Sequence, residues 1–121
     1  MTIESKYLFV ASMDVAKDQE DLFNKVYDTE HIPNLLKVPG VISVARYKKI
    51  PLTMYLAGQK KEMIFEAEPT YHAYYEVTSP DVLTSSEWQS AVELGSWPEQ
   101  VRPHTLNRRH ILTEKQQQFF G

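Results

Sequence analysis

Four strand-like segments, separated by two helical ones, leave few architectures open to this chain. The strand pattern covers residues 7–15, 41–50, 70–78 and 105–114. The first segment is apolar at both odd and even positions, apart from Ser12 and Asp14, which is typical of a strand covered on both faces. The third segment is strongly aromatic and alternating. The order of the segments predicts an α+β chain whose helices pack against a sheet.

The first helical segment follows the first strand and runs into the sequence EHIPNLLK. Apolar side chains recur at helical spacing over residues 22–27, so one stripe of this helix faces a core. Asp18 is a candidate N-cap. Pro33 disfavours helical geometry at the residue before it but suits the first position of a new helical turn. We predict that the helix ends or kinks near His31 and that residues 33–37 form a separate short helix.

The second helical segment carries two start signals and one stop signal. Ser79-Pro80 places a capping residue before a proline, and a capping box begins at Thr84. Gly95 is a natural helix stop. Residues 51–69 lack a clear period and are too long for a hairpin turn, so we predict an arm or flap outside the subunit core.

The complete order, β-α-β-β-α-β, corresponds to two split βαβ units. Such a chain forms a four-stranded antiparallel sheet with both helices on one face, the ferredoxin-like plan, and residues 1–121 fit one domain. The other sheet face has no helix to cover it, although the third strand places aromatic side chains on both faces. A second copy of the chain is the simplest cover, so we predict a homodimer.

The composition excludes several classes of function. The net charge is -3 and Lys and Arg form no extended cluster, so we expect no nucleic-acid binding. The absence of cysteine excludes disulfides, thiolate catalysis and cysteine-ligated zinc. No stretch reaches the roughly 20 apolar residues of a membrane span, and the N-terminus lacks the pattern of a signal peptide. We expect a cytoplasmic protein that does not bind membranes.

Motifs for bound cofactors are also missing from the sequence. It contains no glycine-rich phosphate loop, no GxSxG turn and no HxH or HExxH pair. We therefore expect no cofactor and no metal. A metal or haem site assembled from histidines on distant segments is the alternative.

The run from Tyr27 to Tyr47, with the motifs EHIP, VPGV and ARY, resembles the dimeric α/β-barrel superfamily and, within it, the EthD-like proteins. SPDVLTSSEW and WPEQVRPHT are similar to the second half of such proteins. The layout covers roughly residues 7–113 and is specific over about 27–47. The resemblance implies that two ferredoxin-like chains pack their sheets face to face into a dimeric α/β barrel. The superfamily includes cofactor-free monooxygenases, lactone isomerases, polyketide cyclases and haem-degrading enzymes, so it implies a fold more firmly than a reaction.

His31 is the principal catalytic candidate, because imidazole titrates near neutral pH and this histidine belongs to the matching motif. Tyr27, one helical turn earlier, can orient His31 or bind a substrate oxygen. The alternative is a structural histidine that caps a helix C-terminus, where a positive charge is favourable. A catalytic His31 predicts a cavity that it shares with Tyr27 and an aromatic residue of the third strand.

Five further residues are candidates for substrate binding. Aromatic and imidazole side chains can line a cavity between sheet and helices, and a guanidinium can neutralise an acidic or enolate-like substrate. The five are Tyr71, His72, Tyr75, Trp88 and Arg46. A role in substrate binding or a structural role is open for five more residues, which belong to no motif that favours the first: Trp97, Tyr74, Arg102, Arg108 and Arg109. The structural alternatives are core packing for the aromatic residues and surface ion pairs for the arginines.

These observations predict cofactor-free acid–base chemistry, of the monooxygenase, isomerase or cyclase type, on a small carbonyl-bearing or aromatic metabolite. The alternative is a non-catalytic dimeric module that binds a small molecule or has a structural role. An enzyme needs a cavity that converges on His31, whereas in a structural module side chains fill that space.

Overall fold

A computed structural model describes residues 6–121; residues 1–5, where the segment used for the signal-peptide prediction begins, lie outside the described part. The strands are β1 (Tyr7–Val15), β2 (Val41–Lys48), β3 (Leu52–Leu56), β4 (Gln59–Met63), β5 (Tyr71–Val77) and β6 (Thr105–Glu114). The α-helices are α1 (Glu20–Val26), α2 (Ile32–Leu35) and α3 (Ser86–Ala91). Tyr27–His31 and Trp97–Val101 form π-helical turns, and Lys17–Gln19, Pro80–Thr84 and Arg102–His104 form 3₁₀ turns.

Strands β1, β2, β5 and β6 form one antiparallel sheet in the order β2-β5-β1-β6. β1 and β5 pair without interruption from Tyr7 opposite Val77 to Met13 opposite Tyr71. Because residues directly opposite each other share a face, the odd-numbered residues of both strands point toward the helices. These side chains form the core with α1 and the two π-helical turns. The predicted α+β, ferredoxin-like fold, with helices on one face, is confirmed.

The helix that contains His31 does not end there. The N–H of Ile32 donates to the carbonyl of Tyr27, five residues back, so Tyr27–His31 is a π-helical turn that joins α1 to α2. This wider turn accommodates Pro33, which has no N–H and would crowd the carbonyls of a regular helix. The irregularity predicted from Pro33 is present, but the interpretation of His31 as a helix cap is wrong.

Helix starts agree with the predictions at one position and differ at two. Ser79 accepts from the N–H of Asp81 (3.1 Å), as predicted. At α3 the capping residue is Ser85, which accepts from the N–H of Trp88 (3.1 Å), and not Thr84. Asp18 makes no cap because the first helical segment opens with a 3₁₀ turn that has no side-chain cap. No helix of the described residues is long and apolar enough to cross a membrane.

Most of residues 51–69 form an arm outside the subunit core, as predicted, but Pro69 at the end of this range is fully buried. β3 and β4 pair as a separate hairpin, and all of β3 is exposed. Ala57 and Gly58 both have positive φ, 50° and 77°, as a tight two-residue hairpin turn requires. Lys49 fixes the base of the arm by donating to the carbonyls of Phe65 (2.9 Å) and Glu68 (2.7 Å).

Candidate functional site

A concave region lies on each face of the four-stranded sheet. On the helix-covered face, a cavity of about 270 Å³ separates the sheet from the helical segments. On the helix-free face, a more apolar depression of about 440 Å³ is lined by residues such as Leu8, Ala45, Tyr47 and Tyr74. The depression lies on the face that the predicted second chain would cover. The cavity contains His31 with two arginines and is therefore the candidate site.

His31 is buried in the wall of the cavity, with 5% of its surface exposed. Its ring stacks on Trp97 at a centroid distance of 4.2 Å and an interplanar angle of 18°, and it meets the ring of Tyr27 edge-on at 5.2 Å. His31 closes the first π-helical turn and Trp97 opens the second. Within residues 6–121, the Nδ1 atom of His31 has no hydrogen-bond partner. Leaving a buried nitrogen without a partner costs free energy.

The surroundings of His31 favour its neutral form. Burial lowers the pKa of the imidazole, and the positive charges of Arg102 and Arg108 lower it further, to about 4. A neutral imidazole carries a lone pair that can accept a proton. A helix cap would instead require the charged form.

Two tyrosine hydroxyls form a hydrogen-bonded pair at the same cavity. The hydroxyl oxygens of Tyr27 and Tyr75 lie 3.1 Å apart, and both side chains are buried. Burial raises the pKa of Tyr27, and burial together with the neighbouring Tyr27 raises that of Tyr75. Both phenols are therefore protonated at neutral pH. One hydroxyl donates to the other, which leaves the second proton available for a ligand oxygen.

The two arginines of the cavity differ in how they are bound. Arg102 donates to both carboxylate oxygens of Glu93 (3.0 and 3.1 Å) and to the carbonyl of Val92 (3.0 Å). Arg108 has no carboxylate partner within residues 6–121. Arg108 also lowers the pKa of His110, after the larger effect of burial. The guanidinium of Arg108 is thus the less compensated charge beside the cavity.

Arg108 lies on the helix-covered face of β6, directly after a β-bulge. Ser12 pairs with Arg109 but Asp14 pairs with Leu106, so β6 contains one extra residue at this point. Asn107 occupies the bulge with a φ of 51°, and its Nδ2 donates to Asp14 Oδ2 (3.2 Å). The extra residue reverses the alternation, so that Leu106 and Arg108 lie on opposite faces. The only sequence signal for this bulge was Asn107 itself, since asparagine adopts positive φ more readily than most residues.

The structure brings together four of the seven residues predicted for the site. His31, Tyr27, Tyr75 and Trp88 all line the cavity. Trp88 meets the ring of Phe9 edge-on at 5.9 Å and that of Tyr75 at 5.8 Å. The cavity thus has the composition that a catalytic His31 predicted, with Tyr27 and an aromatic residue of β5. The catalytic and binding roles of these side chains remain predictions.

Arg46 and Tyr71 lie on the helix-covered face but outside the cavity. Arg46 donates to Asp28 (2.8 Å) and to the side-chain oxygen of Asn24 (2.9 Å), with its guanidinium 4.6 Å from the ring centroid of Tyr27. The Tyr71 hydroxyl donates to Glu20 (2.8 Å). The space beside Arg46 and Tyr71 cannot hold a water molecule. In this position both side chains pack the core beneath the π-helical turn.

His72 lies on the helix-free face, away from the cavity. Its Nε2 lies 2.9 Å from the carbonyl of Pro69, and its Nδ1 lies 2.8 Å from the hydroxyl of Ser12. Because a carbonyl can only accept, Nε2 carries the proton and Nδ1 accepts from Ser12. Within residues 6–121, no group of three or more His, Asp or Glu side chains could hold a metal ion.

The fold has counterparts among solved structures. A mutant of MhuD, crystallised with two manganese protoporphyrin IX molecules bound per active site, has a TM-score of 0.64 at 9% identity, covering 95% of this chain and 99% of that chain. An ethyl tert-butyl ether d (EthD) family protein from Bacillus halodurans has a TM-score of 0.57 at 9% identity, covering 90% and 98%. This chain has their fold. The likeness confirms, for the fold, the resemblance drawn from the EHIP, VPGV and ARY motifs. No family model and no curated protein matches the sequence.

The cavity beside His31 does not fit the porphyrin that is bound in the MhuD structure. Its volume of about 270 Å³ is below the roughly 300–1,000 Å³ of most small-molecule sites. A tetrapyrrole macrocycle is several times the size of a single aromatic ring. One face of the His31 imidazole is also covered by Trp97. The space suits a molecule of about one ring.

Proposed function

We propose that the cavity is an active site for acid–base chemistry on a small carbonyl-bearing or aromatic metabolite, with His31 as the general base. The observation that supports this best is a buried, neutral imidazole with an unpartnered nitrogen beside a cavity, within residues 6–121. A side chain that served only packing would gain from a hydrogen bond or an apolar replacement at this position. The chemistry proposed for these side chains needs no cofactor.

The proposed reaction begins with proton transfer to His31. The imidazole accepts a proton from a carbon next to a carbonyl group, or from a phenol, and the electron pair moves onto the substrate oxygen. The free hydroxyl proton of the Tyr27–Tyr75 pair then donates to that oxygen and stabilises its charge. Isomerisation and cyclisation can continue from the resulting anion. Oxygenation would require molecular oxygen as an additional reactant.

We also propose that the working form is a homodimer in which the helix-free sheet faces pack together. That face exposes large apolar side chains, including Tyr47 at 60% and Ile111 at 56%. An apolar sheet face of this kind usually has a partner. The ferredoxin-like fold provides two such faces per dimer, and the cavities then lie on the outer sides, one per chain.

Hydrogen exchange at carbon tests the proposed reaction while the substrate is still unidentified. A panel of small ketones, β-dicarbonyl compounds and phenols is incubated with the protein in D₂O, and the loss of C–H signals is followed by proton NMR. We expect faster exchange for at least one class than in buffer. His31→Asn should lower that rate by about a hundredfold or more. His104→Asn, the same change outside the cavity, should leave it unaffected.

Two outcomes separate the enzyme from the binding module. Exchange that depends on His31 supports the proposed chemistry. Compounds that bind in the cavity without any exchange would instead support the non-catalytic alternative. Equal exchange rates in the wild type and His31→Asn, with both proteins folded by circular dichroism, would exclude His31 as the base.

A further inference from the structure

We propose that the cavity selects organic anions, and that Arg108 binds the carboxylate of a small planar acid whose ring lies against the aromatic wall. This inference rests on the proposed function and specifies its substrate class. It is carried by the position of Arg108, by the charge balance of the cavity and by the shape of its apolar wall.

The pairing of β6 with β1 fixes the face on which Arg108 lies. Ala11 pairs with His110 and Ser12 with Arg109, so alternation places Arg108 with His110 on the helix-covered face, in the cavity wall beside His31. The bulge at Asn107 changes the face only of the residues before it, such as Leu106, which is 55% exposed. The cost of holding Asn107 at a positive φ is offset by hydrogen bonds from its amide to Asp14 Oδ2 (3.2 Å) and to the carbonyl of Ala67 (2.8 Å). β-bulges are frequent next to functional sites.

The charges around the cavity are unbalanced in favour of an anion. Arg102 and Arg108 line it, and no Asp or Glu of the described residues does. Glu93 neutralises Arg102, whereas Arg108 has no carboxylate partner within residues 6–121. A planar guanidinium with free N–H groups matches a carboxylate through two parallel hydrogen bonds.

A bound anion would also raise the pKa of His31, the proposed base. The two arginines contribute to the low pKa of His31, after the larger effect of burial. A carboxylate at Arg108 offsets part of that positive potential and raises the imidazole pKa toward the neutral range, where a general base is most effective. The groups that share the cavity wall with His31 are Tyr27, Tyr75, Arg102, Arg108 and His110. The negative charge of the substrate thus balances the positive charge of Arg108 and makes His31 a stronger base.

The apolar wall limits the rest of the molecule to about one ring. Phe9, Tyr75 and Trp88 are in mutual ring contact at centroid distances of 5.4–5.9 Å. Together with a volume of about 270 Å³, this wall fits an aromatic or unsaturated acid of the size of benzoate. Both tryptophans of the chain line the cavity, so their fluorescence reports directly on its occupancy.

Binding of benzoate and of its neutral isostere benzamide tests the selectivity. A panel of aromatic and unsaturated monocarboxylates, with benzoate as reference, is titrated into the full chain and followed by tryptophan fluorescence and calorimetry. We expect benzoate to bind at least about tenfold more tightly than benzamide. Arg108→Gln should remove that preference and Arg108→Lys should keep part of it. Arg109→Gln removes the same charge one residue along, on the opposite face, and should change nothing.

Several results would overturn the inference. These are equal affinity for benzoate and benzamide, no binding by any acid of the panel, or equal losses in Arg108→Gln and Arg109→Gln. The comparison of benzoate with benzamide uses the wild-type protein and stays informative if Arg108→Gln does not fold. If carboxylates bind through Arg108 while no compound exchanges, the proposed reaction fails and the anion site stands. If neutral compounds show exchange that depends on His31 and is unchanged in Arg108→Gln, the proposed reaction stands and the anion site fails.

Discussion

The side chain of His31 is surrounded by groups that keep it uncharged. Trp97 covers one face of the ring, Tyr27 meets it edge-on, and two arginines add positive potential. The π-helical turn that ends at His31 makes this position possible, because it lets the helix continue past Pro33 with the imidazole inside. Such turns occur often at functional sites.

Acid should destabilise the protein partly through His31. The imidazole titrates near 6.5 in the unfolded chain and near 4 in the folded one, so between these values only the unfolded state binds the proton. The free energy of unfolding therefore falls as the pH drops from about 7 to 4, by at most about 3 kcal/mol from this group. Urea unfolding at about pH 7 and 4.5 measures the change.

His31→Asn provides the reference for this titration. The loss of stability on acidification should be smaller in the variant, because the histidine contribution is absent. His110, whose pKa is also lowered, is present in both proteins and cancels in the comparison. A wild type that becomes more stable relative to the variant in acid would indicate a charged, capping histidine.

Tyr75→Phe tests the hydroxyl pair. The variant leaves the buried Tyr27 hydroxyl without its partner, so we expect a loss of about 1 kcal/mol in stability. The exchange rate should fall by about ten- to a hundredfold, since a donor to the developing anion is lost. Tyr71→Phe is the matched control, because its hydroxyl bonds to Glu20 outside the cavity. Equal effects of both variants on the rate would contradict the donor role.

At the level of elements, periodicity predicted the four main strands and their order, because burial patterns determine which segments pair and which faces are covered. Periodicity did not predict two local features. The helix passes Pro33 because a π-helical turn makes room, and a regular-helix argument does not include that option. The N-cap of α3 lies one residue beyond Thr84, because both Thr84 and Ser85 have the chemistry of a cap.

The composition of the cavity was only partly predictable from the sequence, because alternation and helical spacing do not include local irregularities. Tyr75 and Trp88 face the helices by simple alternation and helical spacing, whereas His72 follows Tyr71 and must point to the other face. In β6, Arg108 and His110 lie on the helix-covered face by alternation, whereas Leu106 lies on the other face because of the bulge at Asn107, a change of register that alternation does not show.

The β3–β4 arm should be dispensable for folding. Its strands are exposed and its base is fixed by Lys49, outside the hairpin itself. Replacing Leu52–Met63 by a short Gly-Ser linker should leave the circular dichroism spectrum and the cooperativity of unfolding unchanged. Because the arm exposes Tyr55 at 73%, we expect a weaker dimer or altered ligand binding. Loss of cooperative unfolding would show that the arm belongs to the core.

Over the whole molecule, the two faces of the sheet differ in the surfaces that they present. The helix-covered face holds the cavity, and the helix-free face exposes an apolar surface with a buried polar centre. There Glu76 accepts from Ser43 (2.6 Å), while its other carboxylate oxygen has no partner within residues 6–121. Leaving this buried oxygen without a partner costs free energy.

The homodimer can be tested by light scattering. At micromolar concentration we expect about twice the 14.1 kDa of the chain. Ile111→Arg introduces a charge on the helix-free face and should shift the mass toward the monomer. Leu94→Arg is the control, because Leu94 is similarly exposed, at 50%, but follows α3 on the other side. A stable wild-type monomer would exclude the barrel.

The protonation state of His31 links the proposed general base to the proposed anion site, and NMR of histidine-labelled protein measures it directly. The resonance of His31 is identified by its absence in His31→Asn. We expect a pKa of about 4 in the free protein and a higher value when benzoate is bound. A pKa at or above the ordinary 6.5, unchanged by benzoate, would contradict a neutral base in an anion-binding cavity.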